Sequence, residues 1–253
     1  MTKSPRNFVI LQSEKVKKMN YRKAFAEKER LLKLLRQNFF LLVSLFLLAF
    51  GVALCVRSDL GSSVISSAPY AFFLGGEEEM VPAWSLGMYT NLLNILLVIG
   101  QIIVLRRRYR PVQLLQLAVG VVFGVLIDLS MFLTQVFMTT DLYGRLLLML
   151  AGSSLMAVGV ALEIRCSAIT MPGEGLPAAL SRVNGRSFGD MKILTDISLV
   201  GLAAASSLLF FGRWQWNIVG PGTLFAMVYV GWLVKVISRH LHWFDRLLAS
   251  DQL

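Results

Sequence analysis

The sequence predicts an all-α polytopic membrane protein whose six transmembrane helices form two inverted three-helix repeats with broken, re-entrant polar segments. Three observations lead to this fold class. Hydrophobic residues make up 56% of the 253 residues and charged residues only 16%, against about 25% charged residues in a soluble domain. Apolar runs of membrane-spanning length recur along the chain. A pattern of serine, glycine and proline follows two of these runs.

The apolar runs define six spans, each long enough to cross about 30 Å of hydrocarbon. Their predicted residues are 38–56, 85–105, 113–134, 146–164, 191–211 and 218–237. The chain accordingly divides into a basic cytoplasmic N-terminal tail (1–37), membrane repeat 1 (38–140), membrane repeat 2 (141–240) and a cytoplasmic C-terminal tail (241–253). The N-terminal tail is either an interfacial helix on anionic lipid or a solvated segment that only enforces the topology.

Lysine and arginine are distributed unevenly around these spans. Eleven of the 25 precede Gln37, and eleven more fall in segments on the same side of the membrane, which leaves three on the other side. The positive-inside rule then puts both termini in the cytoplasm. We predict a multi-pass protein of the bacterial inner membrane. The net charge of +10 comes with no nucleic-acid-binding motif, so we expect no nucleic acid as partner.

The polar pattern belongs to an internal repeat. GVALCVRSDLGSSVISSAPYAF, from Gly51, aligns without a gap with GVALEIRCSAITMPGEGLPAAL, from Gly159. Downstream, SLGMYTNLLNILLV from Ser85 aligns with SFGDMKILTDISLV from Ser187, and GVVFGVLIDL matches VGPGTLFAMV more loosely. Each half holds three spans, an odd number, so the second copy must cross the membrane in the opposite direction. Inverted repeats with polar interruptions at matching places are typical of transporters.

Each polar segment has two interpretations. It either starts a short helix within the membrane, near Ser66–Pro69 in the first half and Pro172–Pro177 in the second, or it is an ordinary surface loop. A helix that starts at membrane depth must be buried in protein or line an aqueous cavity. The positive end of its dipole would then face that cavity. The duplication favours the first interpretation.

The motifs GVALCVRSDLGSSVISSAPY, FGVLIDL, MPGEGLPAAL and GPGTLFAMVYVG together resemble the YczE/YitT-like bacterial integral membrane proteins. The resemblance covers most of the chain from Leu41 to Val236. It implies a membrane protein of five or six spans and indicates no substrate, because the biochemical function of that family is uncharacterised. The basic extension before residue 37 departs from its shorter members.

Polar and ionisable residues at membrane depth are the candidate site residues, since an ionisable group there costs about 3 kcal/mol on insertion scales. The candidate proton-coupling residues are Glu174, Asp196 and Asp128, of which Asp128 has a structural network as its alternative role. The candidate substrate-binding residues are Arg57, Ser62, Ser66, Tyr70, Asn91, Asn94, Arg165, Thr170, Glu174, Lys192 and Asp196. We expect the polar segments to converge on one cavity.

These residues predict a secondary transporter of a small polar solute, an organic anion or a zwitterion, with protons as a candidate coupling ion. Arg57 and Arg165 would attract the anionic part of the solute. The alternative is a non-transporting accessory or regulatory membrane protein that docks through its basic tail. The sequence has no Walker A motif, metal-ligand spacing or nucleophile elbow, so we expect no enzyme, cofactor or metal. The expected partners are the lipid bilayer and the solute, and a homodimer stays open.

Overall fold

A computed structural model describes residues 5–137, 139–166 and 170–241. The predicted C-terminal tail beyond residue 241 lies outside the described residues, as do most side chains of the predicted N-terminal tail. The described chain contains no strand. Its α-helices are α1 (Pro5–Arg57), α2 (Val64–Glu77), α3 (Leu86–Leu105), α4 (Leu115–Leu133), α5 (Leu142–Cys166), α6 (Pro172–Asn184), α7 (Phe188–Phe211) and α8 (Pro221–His240).

Six helical segments of the described chain, one at each helix except α2 and α6, are long and apolar enough to cross a membrane; those at α3 and α4 include adjoining 3-10 turns. The segments are Leu31–Arg57, Leu86–Arg108, Pro111–Phe137, Leu142–Cys166, Phe188–Phe211 and Pro221–His240. Each contains or overlaps one predicted span, so the protein is an all-α polytopic membrane protein, as the sequence predicts. Helix α1 runs without a break through residues 37 and 38, where the sequence pattern separates the tail from the first span.

Helices α2 and α6 are the two short helices. They have 14 and 13 residues, which gives each a length of about 20 Å, too short to cross a bilayer. They begin at Val64 and Pro172, inside the two polar segments, and proline occupies the first turn of α6, where its missing N–H costs no hydrogen bond. Both segments therefore form short helices rather than loops. The order long, short, long, long occurs twice along the chain.

Helices α1 and α5 cross closely through small residues. A Cβ at Gly51 would lie 2.6 Å from the carbonyl oxygen of Gly152, and one at Gly159 would lie 2.9 Å from that of Ser44. The contacts run in opposite directions along the two helices, so α1 and α5 are antiparallel. Gly159 follows Gly51 by 108 positions, and Gly152 follows Ser44 by the same number. The two contacts therefore join matched positions of the two halves, with backbones close enough for strong van der Waals packing.

The contacts between helices also occur in matched pairs. Helix α1 packs on α4 as α5 packs on α8, α2 packs on α7 as α6 packs on α3, and α2 packs on α3 as α6 packs on α7. One pair breaks the pattern. Helices α3 and α4 pack closely, whereas α7 and α8, both wholly described, are hardly in contact. The fold therefore has one closed helix pair and one parted pair at matching places.

Candidate functional site

A cavity of about 480 Å³ lies where α7 and α8 part. This volume falls within the roughly 300–1,000 Å³ typical of small-molecule sites. Its walls come from α1, α2, α5, α6, α7 and α8, and most of the lining residues are apolar. Its polar side chains are Ser63, Glu163, Glu174, Lys192 and Asp196. We call this space the α7–α8 cavity.

Lys192 pairs with two carboxylates in the α7–α8 cavity. Its Nζ lies 2.8 Å from Asp196 Oδ1, one helical turn further along α7, and 3.4 Å from Glu174 Oε1 on α6. The three side chains are 14% to 28% exposed. The sequence pattern predicts the Lys192–Asp196 face of the helix, and the structure brings Glu174 to the same place from the second short helix.

Glu163 is the most buried carboxyl group of the cavity. It lies near the end of α5, it is 3% exposed, and its Oε1 accepts a hydrogen bond from the backbone N–H of Met171 at 2.9 Å. Glu163 is not among the predicted site residues, because the end of a span also suits an interfacial charge. One signal was available: the matched position in the first half is Cys55, so the carboxylate is specific to the second half.

The first turns of both short helices meet at the cavity. Residues 63–65 of the first segment and residues 171, 173 and 174 of the second line it. Ile65 and Gly173 occupy matched positions and touch, because a Cβ on Gly173 would collide with Ile65 Cδ1. Glu174 lies in the first turn of α6, where a carboxylate interacts favourably with the positive end of the helix dipole. The carboxylate of Glu174 thus already occupies the start of α6, a position where helices commonly bind anions.

The two predicted arginines lie elsewhere. Arg57 Nη2 donates a hydrogen bond to the carbonyl of Met131 at 2.8 Å, and Arg165 Nη2 donates to that of Ser238 at 2.5 Å. These carbonyls belong to the last turns of α4 and α8, where cations stabilise the negative end of the dipole. Each arginine therefore ties the first helix of its half to the last, and neither lines the cavity.

Four further predicted residues also lie outside the cavity lining. Ser62 Oγ donates to the carbonyl of Ile218 at 2.9 Å, and Ser66 bonds a neighbouring serine hydroxyl at 2.6 Å. Tyr70 is buried and stacks on an adjacent phenylalanine ring. Thr170 is half-buried just before α6. These side chains serve the packing of the short helices.

The remaining predicted residues lie between α3 and α4. A Cβ at Gly120 would lie 3.0 Å from Asn94 Nδ2, and one at Gly124 would lie 2.6 Å from Asn91 Oδ1. Asp128 accepts hydrogen bonds at the start of α3. The predicted residues therefore do not converge on one cavity, and those at membrane depth form two separate groups. Glu174, Lys192 and Asp196 meet in the α7–α8 cavity, and Asn91, Asn94 and Asp128 meet in the closed α3–α4 contact.

The described residues contain no group of three histidine, cysteine, aspartate or glutamate side chains that could hold a metal ion. A family model described as a family of unknown function (DUF6198) matches residues 35–239. That match includes both short helices and the whole lining of the cavity. No curated protein and no solved structure matches the chain. The chemistry of the cavity must therefore supply the functional argument.

Proposed function

We propose that this chain, which belongs to the family of unknown function DUF6198, is a secondary transporter of a small solute that carries an amine. The solute is a zwitterion or an organic cation. One observation carries the proposal: the α7–α8 cavity holds three carboxyl groups and one ammonium group where the two short helices start.

The charge of the cavity favours a cationic group on the solute. An ammonium group gains charge-assisted hydrogen bonds from carboxylates, which are about twice as strong as bonds between neutral groups. A solute carboxylate would instead face Glu163, Glu174 and Asp196 with only Lys192 as a partner. The apolar remainder of the lining suits a solute with an apolar body. The organic anion predicted from Arg57 and Arg165 is therefore the weaker choice.

Lys192 gives the site an internal competitor. In the empty cavity its ammonium group neutralises part of the negative charge of Glu174 and Asp196. An arriving solute ammonium would take its place beside one of these carboxylates. Lys192 would then remain with the other carboxylate or face the solute's own carboxylate, if the solute is a zwitterion. The carboxylate that Lys192 leaves therefore gains the solute's ammonium group as its new partner and is not left unpaired.

The symmetry of the packing supports transport. The antiparallel contacts of Gly51 with Gly152 and of Gly159 with Ser44 are what a two-fold axis in the membrane plane would produce. Ile65 and Gly173 occupy matched positions and touch, as residues on such an axis would. Inverted repeats that enclose a site between discontinuous helices are the architecture of many secondary transporters. In the orientation that the positive-inside rule favours, the cavity opens toward the cytoplasm.

Four compounds with the same number of carbon atoms and different polar groups test the charge preference of the cavity. The purified protein is heated with butylamine, 4-aminobutyrate, butyrate or butanol, and its unfolding temperature is followed. A ligand at 100 times its Kd stabilises the folded protein by about 2.7 kcal/mol. We expect stabilisation by the amine or the zwitterion and none by butyrate. Asp196→Asn should remove the stabilisation, and Glu78→Gln, at an exposed position, should leave it intact. Stabilisation by butyrate alone would contradict the proposal.

Binding and transport are separated in a second measurement. Proteoliposomes take up the radiolabelled compound that stabilises the protein most, with and without an inward proton gradient. Uptake above that of empty liposomes, abolished by Asp196→Asn, is the expected result. Stabilisation without uptake would make the protein a binding or sensing protein. That outcome refutes transport and leaves the cavity's ligand class in place.

A second candidate function rests on a different feature, the length of α1. The helix extends 26 residues before the first candidate span, or about 39 Å, and this stretch is rich in lysine and arginine. An accessory protein would use it to dock on an acidic partner or on anionic lipid. Deletion of residues 2–30 discriminates the two candidates, because it should preserve uptake by a transporter and abolish the function of an accessory protein.

A further inference from the structure

We infer that the contact between α3 and α4 is a second solute pathway, closed in this conformation, which opens toward the opposite membrane face when α7 and α8 close. The inference rests on the proposed transport function. It assigns a binding role to residues that the α7–α8 cavity does not use. We call the contact the α3–α4 seam and define it by its facing residues, which are Ser85, Gly87, Asn91, Asn94, Gly120, Gly124 and Asp128.

Among the described α-helices, the matched contacts are broken at one place. Every other strong contact between α-helices of one half has its counterpart in the other half. Only α3 and α4 are closed where α7 and α8 are parted. If the halves exchange conformations, α7 and α8 close on the cavity and α3 and α4 part. The two openings lie at opposite depths because the halves have opposite orientations, so exchange of conformations alternates access.

The seam buries two amide groups that lack a hydrogen-bond partner from the residues that the structure describes. Asn94 is 2% exposed, and its Nδ2 has no hydrogen-bond partner in the described part of the chain. Asn91 Oδ1 is also buried and also has no hydrogen-bond partner among the described residues. Buried amide groups are nearly always hydrogen-bonded, so two unpaired ones in a closed seam point to a state in which they have partners. Water and the polar part of the solute supply those partners once the helices separate.

A pair of hydrogen bonds to Asp128 forms a latch at one end of the seam. Asp128 Oδ2 accepts a hydrogen bond from Ser85 Oγ at 2.6 Å, and Oδ1 accepts one from the N–H of Gly87 at 2.7 Å. These bonds tie the start of α3 to α4. At the matched place in the second half, Gly189 lines the cavity and has no close neighbour beyond its own loop. The carboxylate has no counterpart there, since the looser repeat alignment puts Met227 opposite Asp128.

The proposed solute contacts in the open seam follow from the repeat. Asn94 matches Asp196, so the seam would present a neutral amide where the cavity presents a carboxylate. An ammonium group is bound less strongly by neutral groups than by carboxylates. The solute would therefore be released from the seam side more readily than from the cavity side, unless Asp128, freed from its latch bonds, takes part in binding.

Thiol labelling from the two membrane sides tests the inference. Both native cysteines are replaced by alanine, and a single cysteine is introduced either at Asn94 in the seam or at Ile193 in the cavity. A membrane-impermeant thiol reagent is then applied to each side of reconstituted vesicles. Asp128→Ala removes the latch. It should raise the labelling rate of Asn94→Cys roughly tenfold and lower that of Ile193→Cys, because every molecule that opens its seam closes its cavity. Glu78→Gln should change neither rate.

Each outcome of the labelling test either supports or overturns the inference about the seam. A rise at both positions would mean general loosening and would overturn the inference, and so would an unchanged rate at both. If Asp128→Ala does not fold, Ser85→Ala removes one of the two latch bonds and must give the same reciprocal change at smaller size. Reciprocal labelling without amine-dependent uptake would leave the alternate opening of the seam and the cavity in place, but it would refute the proposed transport and with it the seam's role as a solute pathway. Uptake without reciprocal labelling would overturn the seam inference and leave the proposed transport in place.

Discussion

Replacement of Lys192 by methionine tests the charge network of the α7–α8 cavity most directly. Methionine keeps most of the apolar stem and removes the ammonium group. Asp196 Oδ1 then loses a partner at 2.8 Å and Glu174 Oε1 one at 3.4 Å. Three carboxyl groups remain in the cavity without a cation. The variant should therefore be less stable than the wild type.

The size of this effect follows from the exposure of the three side chains. Loss of one partner of a fully buried ion pair costs about 3–5 kcal/mol, and an exposed pair contributes about 0–1 kcal/mol. The side chains here are 14% to 28% exposed, so solvent screens the pair in part. We expect a loss of about 2 kcal/mol. In a chain of this length that lowers the unfolding temperature by about 4–8 °C.

The assay is thermal unfolding of the purified protein in detergent, arranged as a double-mutant cycle. Asp196→Asn removes one of the carboxylates that Lys192 leaves unpaired. The double variant should therefore be more stable than the sum of the single effects by about 1 kcal/mol. Lys235→Met is the matched control, since Lys235 is exposed on α8 and should change the unfolding temperature very little.

Two results would refute this reasoning. One is a Lys192→Met protein as stable as the control, which would mean that solvent screens the pair completely. The other is strict additivity in the cycle, which would mean that the two residues do not interact. The same variant also tests the proposed function. Without its internal competitor, the cavity should bind the amine about tenfold more tightly, a gain of about 1.4 kcal/mol.

Three further predictions concern the packing of α1 on α5, the role of Arg57 and the membrane topology. Gly51→Ala should destabilise the protein by about 1–3 kcal/mol, because the new Cβ meets the backbone of α5, whereas Gly201→Ala, with open space around it, should not lower the unfolding temperature. Arg57→Gln should lower the unfolding temperature, because it weakens the bond to α4, and it should leave amine binding unchanged. A change in ligand selectivity would show instead that Arg57 contributes to the binding site. Cysteines at Glu78 and Arg108 should label from outside intact cells only at Glu78, and labelling at Arg108 would reverse the topology.

Much of the fold was predictable because it depends on short stretches of the chain. The six spans follow from the length of apolar runs, and the two short helices near Ser66–Pro69 and Pro172–Pro177 follow from the serine and proline of the polar segments. Helix α6 begins at the predicted Pro172, and α2 begins two residues before the predicted Ser66, at Val64. The Lys192–Asp196 pair follows from helical spacing. The orientation of the termini, the inverted relation of the halves and the resemblance to YczE/YitT-like proteins stay predictions.

The sequence by itself determined which residues are polar at membrane depth, and it also supplied the matched positions of the two halves. Only the tertiary structure decided which of those residues share a space. Asn94 and Asp196 are matched in sequence, yet one is buried against Gly120 and the other lines a cavity. The physical reason is that α3 packs on α4 while α7 and α8 part. That difference depends on contacts between helices far apart in the chain, and no local pattern records it.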